Sequence, residues 1–161
     1  MKSLTIQQPY AHMLITPQDK LPAGAIHKRV ENRSWVCPVK WMREPFAIHA
    51  GVSMEWFKYG DWPRSFPRTP KQSDVPEMTF GAVVAVATVA QCFHVMQIRT
   101  GQIPEQYMWL RDHKHVAGPY CFVIEDVVVL DEPVRCSGQQ KFWTLPTHIE
   151  SRVMAQIGVA A

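Results

Sequence analysis

Eight consecutive residues, Lys28-Arg29-Val30-Glu31-Asn32-Arg33-Ser34-Trp35, gather an ammonium, two guanidiniums, a carboxylate and an indole in a chain only 19% charged. At a strand's period of two, Arg29, Glu31, Arg33 and Trp35 share one face, and Val30, Asn32, Ser34 and Val36 share the other. Arg and Glu are rarely buried unless paired, and Trp gains from a polar partner for its N–H. Two arrangements suit such a face. One is a solvated edge strand with an internal Arg–Glu pair. The other is a site that holds an anion and stacks on something flat. Lys28 has the opposite parity to Glu31 and Arg33. If all three converge, the strand must begin after Lys28, with Lys28 reaching in from the preceding loop.

Other residues are weighed against this stretch. His49 lies opposite Phe46 and Ile48 in strand alternation and just before Ala50-Gly51, where a backbone or ligand can approach closely. It reads either as a structural histidine or as part of a site. Trp35, Trp109 and Trp143 all neighbour polar or charged residues. One exposed Trp would suffice for stacking on a base, worth about 1–3 kcal/mol. Glu125-Asp126 suits a solvated turn better than a catalytic pair. His113-Lys114-His115 has metal-ligating types, but a single His-x-His in a charged loop supplies too few ligands. The chain has no glycine-rich phosphate loop, no Gly-x-Ser-x-Gly, no His-Glu-x-x-His and no Cys-x-x-Cys. Neither metal nor cofactor is expected.

Composition sets the frame for these residues. With 161 residues, 47% of them hydrophobic and with six Trp and seven Phe, the chain is expected to form one domain over 1–161. Cys37, Cys92, Cys121 and Cys136 are widely spaced and read as buried thiols. No apolar run suits a membrane span and no signal segment is evident, so a cytoplasmic protein is expected. Residues 1–80 hold 11 Lys and Arg against 7 Asp and Glu, whereas the remainder holds 6 against 7. That asymmetry favours an anionic partner.

The elements come in a simple order. Ser3 to Ile6 reads as a strand, and Pro9 opens a short helix with Tyr10, Met13 and Leu14 at helical spacing. Phe46 to Ala50 is a second apolar strand beyond the charged one. Ser53 is placed to cap a short helix running to about Tyr59. Residues 61–78 hold four prolines and read as a long loop through which a protein partner could bind. Phe80 to Phe93 suits a long strand bent at Gly81, followed by an irregular stretch from His94 to His115 with an exposed Tyr107-Met108-Trp109. Tyr120 to Leu130 reads as one strand broken at Glu125-Asp126, and Pro133 as the opening of a separate edge strand. A final helix carries Ile149, Val153 and Ile157 on one stripe. This order implies a mainly β (α+β) fold, with short helices pinned to a closed or nearly closed sheet.

Five segments in order carry a family resemblance: Ser3-Leu4-Thr5-Ile6-Gln7-Gln8-Pro9-Tyr10-Ala11, Lys28 to Trp35, Ala47-Ile48-His49-Ala50-Gly51, Gly118 to Ile124, and Phe142 to Pro146. Together they resemble the ASCH domain and span nearly the whole chain. The resemblance implies a PUA-like β-barrel with short flanking helices, a fold used mainly to bind RNA. The family's Gly-x-Lys-x-x-Glu-x-Arg motif maps onto Lys28, Glu31 and Arg33. Ile26 stands at its glycine position, and the glycine comes two residues earlier as Gly24.

The function implied by this resemblance is a nucleic-acid-binding module for RNA, or for DNA or a modified nucleotide. Lys28 and Arg33 would contact phosphate or a base edge, with Glu31 orienting Arg33 and Tyr10 or Trp35 stacking. Gln7, Ser34 and His49 complete the cleft. The alternative is a hydrolase. A bacterial relative with this fold removes the acetyl group from acetylcytidine with a Lys, a Thr three residues later, and a Glu from elsewhere. Lys28 matches the first, but Glu31 occupies the Thr position. An enzyme here would use Lys28 and Glu31 as an acid/base pair.

Overall fold

The computed structural model describes residues 1–55 and 78–158. Both the Pro-rich loop expected at 61–78, apart from Met78, and most of the helix expected after Ser53 lie outside the described residues. The chain forms strands β1 (Lys2–Ile6), β2 (Val30–Arg33), β3 (Phe46–Ala50), β4 (Ala82–His94), β5 (Tyr120–Arg135) and β6 (Phe142–Thr144). Helices α1 (Tyr10–Ile15), α2 (Val95–Thr100) and α3 (Thr147–Gln156) flank them. The fold is mainly β, with the short flanking helices expected from the sequence.

The six strands make one mixed sheet in the order β2-β5-β4-β3-β1-β6, with β1 parallel to β3 and the other pairs antiparallel. The sheet curls until its two ends meet. Arg33, on edge strand β2, donates to the carbonyl of Thr5 on β1 at 2.7 Å. Trp35, just past β2, packs edge-on against Phe142 of β6, with ring centroids 5.7 Å apart. Side chains rather than a strand ladder therefore close this barrel. Its interior holds Leu4, Ile6, Phe46, Ile48, Val89, Phe122 and Ile124.

Two further apolar clusters cover the outside of the sheet. Ile149 and Val153 of α3 pack on Ala47, Val83, Leu130 and Trp143, so the apolar stripe read from the sequence is the docking face of that helix. Ile98 of α2 and Leu110, in a 3-10 helix at Glu105–Arg111, pack on Val30, Phe93, Cys121 and Val123. The stretch expected to be irregular therefore contains two short helical turns. Tyr107 is buried and Trp109 half-buried rather than exposed, because this second cluster needs their rings.

The long strands differ from expectation at their charged positions. β5 does not break at Glu125-Asp126. Asp126 adopts a left-handed φ of 51°, and the β4–β5 register shifts through irregularities on either side while the ladder continues. Val134 pairs with Val83 within the same strand, so no separate edge strand opens at Pro133. Cys37 and Cys121 are buried, whereas Cys92 and Cys136 are half-buried, and all four thiols are free. Among the described residues no helix is long and apolar enough to cross a membrane.

Candidate functional site

β2 starts at Val30, which leaves Lys28 and Arg29 in the approaching loop. The Lys28 amide donates to the carbonyl of Met13 in α1 at 2.9 Å, and the Arg29 carbonyl accepts from Ile124 at 2.9 Å. This anchoring turns Lys28 inward and Arg29 outward. The guanidinium of Arg29 lies 4.2 Å from the centre of the Trp109 ring and leaves the face that strict alternation would have given it. Glu31 is in register with Phe122, and Arg33 with Tyr120, so both point to the barrel interior.

At the barrel mouth these side chains form a short relay. Lys28 Nζ donates to Glu31 Oε2 at 2.5 Å and to the carbonyl of Val30. Arg33 Nη2 donates to the Thr5 carbonyl and forms an ion pair with Glu31 Oε1 at 2.8 Å. Each carboxylate oxygen thus holds one cation. Lys28 is 2% exposed, and its ammonium also sits 5.5 Å from the centre of the Tyr10 ring. Burial lowers the Lys28 pKa from its ordinary value, and the neighbouring Glu31 only partly offsets this. The Arg33 Nε is buried without a hydrogen-bond partner.

Above the relay lies a cleft of about 730 Å³. Thr5, Gln7 and Tyr10 form one side, and Ser34 and Trp35 follow directly after β2. Lys114, His115 and Ala117 form a second wall, and Gln139 to Lys141 a third. Asn32, on the opposite face of β2 from Glu31, fixes the second wall. Its Nδ2 donates to the His115 carbonyl at 2.7 Å, and its Oδ1 accepts from the amides of Ala117 and Gly118 at 3.0 and 2.9 Å. His115 Nε2 meets the carbonyl of Ile26 at 2.8 Å. Burial pushes the pKa of His115 down to about 4, and that of His113 to about 4 with help from His115 and Arg29, so both are neutral at pH 7.

Of the residues singled out from sequence, Gln7, Tyr10, Lys28, Glu31, Arg33, Ser34 and Trp35 all line the cleft. Gln7 lies directly over Gly51, where a Cβ would come within 2.4 Å of its amide oxygen, so that glycine leaves room for it. His49 does not line the cleft. It projects to the outer face of β3, where Nε2 meets the Cys136 carbonyl at 2.9 Å and the ring packs edge-on against Trp143. Strand alternation gave its direction correctly, but that direction leads into the cluster beneath α3. Trp143, one of the three candidate stacking residues, is buried there as well.

No protein-family model and no curated protein matches the chain. Two ASCH structures from Zymomonas mobilis are similar to it in fold. One aligns at 14% identity with a TM-score of 0.48, covering 94% of this chain and 91% of that one. The other, a tyrosine-to-phenylalanine variant, aligns at 13% identity with a TM-score of 0.47, covering 94% of both chains. Likeness of this degree extends along the chain but assigns no role to any residue.

The sequence reading missed Thr5, Asn32, Lys114 and Lys141. Lys114 was visible only as the middle of a weak His-x-His pattern. Lys141 follows two glutamines and has a left-handed φ of 58°, which sequence does not announce at a lysine. The role of Asn32 rests on contacts more than 80 residues away in sequence.

Proposed function

We propose that this chain is a nucleic-acid-binding module that takes single-stranded RNA with one nucleotide seated in the cleft. The observation that carries this reading is the charge around the cleft. Among the described residues, Lys28, Arg33, Lys114 and Lys141 line it against one carboxylate, that of Glu31, which Lys28 and Arg33 already engage. Among the described residues Lys114 and Lys141 have no acidic partner, so their charges are available to phosphate. The cleft volume falls within the roughly 300–1,000 Å³ of small-ligand sites. In this reading Tyr10 and Trp35 offer rings to a base, and Gln7 and Ser34 offer polar groups to its edge. Lys28 is too enclosed to meet phosphate itself. It holds Glu31, which holds Arg33.

The test is equilibrium binding of labelled RNA oligonucleotides by fluorescence anisotropy, with single-stranded DNA and a free nucleotide as parallel arms. Binding is expected at ~50 mM salt and should weaken steeply by ~200 mM, as counterions compete for the phosphates. No detectable binding at the lower salt contradicts the reading.

One observation favours a second reading, hydrolysis of an acylated nucleoside such as acetylcytidine. Lys28 is a buried amine with a lowered pKa against a carboxylate, the pairing that acid/base chemistry requires. The hydroxyl found in the resembling amidohydrolase is absent, because Glu31 stands in its place. Mass loss from a panel of acylated nucleosides checks this reading. It requires turnover by the wild type that disappears in Lys28→Ala.

A further inference from the structure

The cleft wall at residues 113–117 continues outward in a run of flat groups that the single-nucleotide reading leaves unused. His115 meets Tyr10 edge-on, with centroids 6.5 Å apart. His113 lies 5.6 Å from His115, and Trp109 lies 5.2 Å from His113. Arg29 ends the run with its guanidinium over Trp109. Arg29 is exposed and has no carboxylate partner among the described residues. The guanidinium thus lies over an indole, while among the described residues its charge has no acidic partner and the side chain is exposed.

An Arg whose only role was to shield Trp109 would gain more from a nearby acid. A guanidinium plane is also one of the few protein surfaces that can both stack on a base and attract the backbone joining it to its neighbour. We infer that Arg29, backed by Trp109, is a second stacking subsite for the nucleotide adjoining the one in the cleft, with the connecting phosphate near Lys114. This rests on the cleft binding single-stranded nucleic acid. It also gives the turn before β2 a purpose, since the same backbone path that buries Lys28 as part of the floor presents Arg29 as an outer platform.

The experiment compares uridine 5′-monophosphate with a labelled eight-nucleotide uridine RNA on the full chain. Arg29→Ala is expected to weaken octamer binding about tenfold, the lower part of the range for one stacked base, with a clearly smaller loss for the mononucleotide. Arg29→Lys keeps the charge but lacks the plane and is expected to recover only part of the loss. Arg152→Ala, on α3, removes an exposed positive charge away from this run and is expected to leave both affinities unchanged. Because Arg29 is exposed, these variants should fold, and circular dichroism checks that they do. If the wild type binds the octamer and Arg29→Ala binds it equally well, the second subsite is overturned while the cleft reading stands. Equal affinity of Arg29→Lys and wild type overturns stacking as its basis. Failure of the wild type to bind either ligand overturns both.

Discussion

Glu31 balances two cations on one carboxylate, and Lys28, the more deeply enclosed of the two, depends on it. Glu31→Gln leaves an ammonium buried beside a neutral amide. Breaking a buried pair in this way typically costs about 3–5 kcal/mol, which chemical denaturation would read directly. Lys28→Met should cost clearly less, because Arg33 still pairs with Glu31 and the methionine chain refills the space. The reverse order would mean that the ammonium supports the fold through Val30 and Tyr10 rather than through Glu31. The meeting of Lys28 with Glu31 and Arg33 was legible only as a condition, that the strand begin after Lys28 if all three converge, and β2 does begin at Val30. The position of Arg29 was not legible, since alternation says nothing about a residue just outside a strand. His49 shows the matching limit. Its face could be read from the pattern, but the cluster covering that face is built by segments about ninety residues away.

Asn32 connects two elements at this scale by tying β2 to the loop that forms one cleft wall. Asn32→Ala leaves the amides of Ala117 and Gly118 without their acceptor. A loss of about 1–3 kcal/mol is typical for polar groups stranded in this way. Hydrogen exchange at these two amides should accelerate by roughly tenfold or more, while amides in the centre of β4 and β5 change little. Unaltered exchange at Ala117 and Gly118 would mean that something other than Asn32 holds the wall. Elements were legible where apolar periodicity was unbroken, as in β3, β4 and α3. They were misread where charge interrupted it. Glu125-Asp126 looks like a turn, but Asp126 in a left-handed conformation lets β5 bend and continue.

At the scale of the whole fold, the described residues form a sheet closed on itself by Arg33 and Trp35, with the cleft placed on that seam. A closed or nearly closed sheet was legible from the order of strands and short helices along the chain. The seam was not, because it depends on which strands end at the edges of the sheet. Charge at this scale sets a pH dependence. His113 and His115 have folded-state pKa values of about 4, lowered first by burial; His115, Arg29, Lys28 and His27 add repulsion at His113, whereas at His115 the Ile26 carbonyl and Glu31 partly oppose the lowering. Between about pH 6.5 and 4 the unfolded chain therefore binds more protons than the folded one. The stability these residues provide is complete above about pH 6.5 and is lost as pH falls towards 4. Urea midpoints measured from pH 7 to 5 should decline, and the decline should flatten in a His113→Asn/His115→Asn variant. An unchanged slope in that variant would place the acid sensitivity elsewhere.

If Lys114 and Lys141, which have no acidic partner among the described residues, bind the backbone of a single strand, RNA affinity depends on salt through them. Each phosphate contact on a single strand contributes about 0.7 to the slope of log affinity against log salt. Replacing Lys114 and Lys141 together with Gln should lower the slope by about 1.4 and weaken binding at low salt. A slope identical in variant and wild type, with affinity retained, would contradict the assignment of this cleft to nucleic acid.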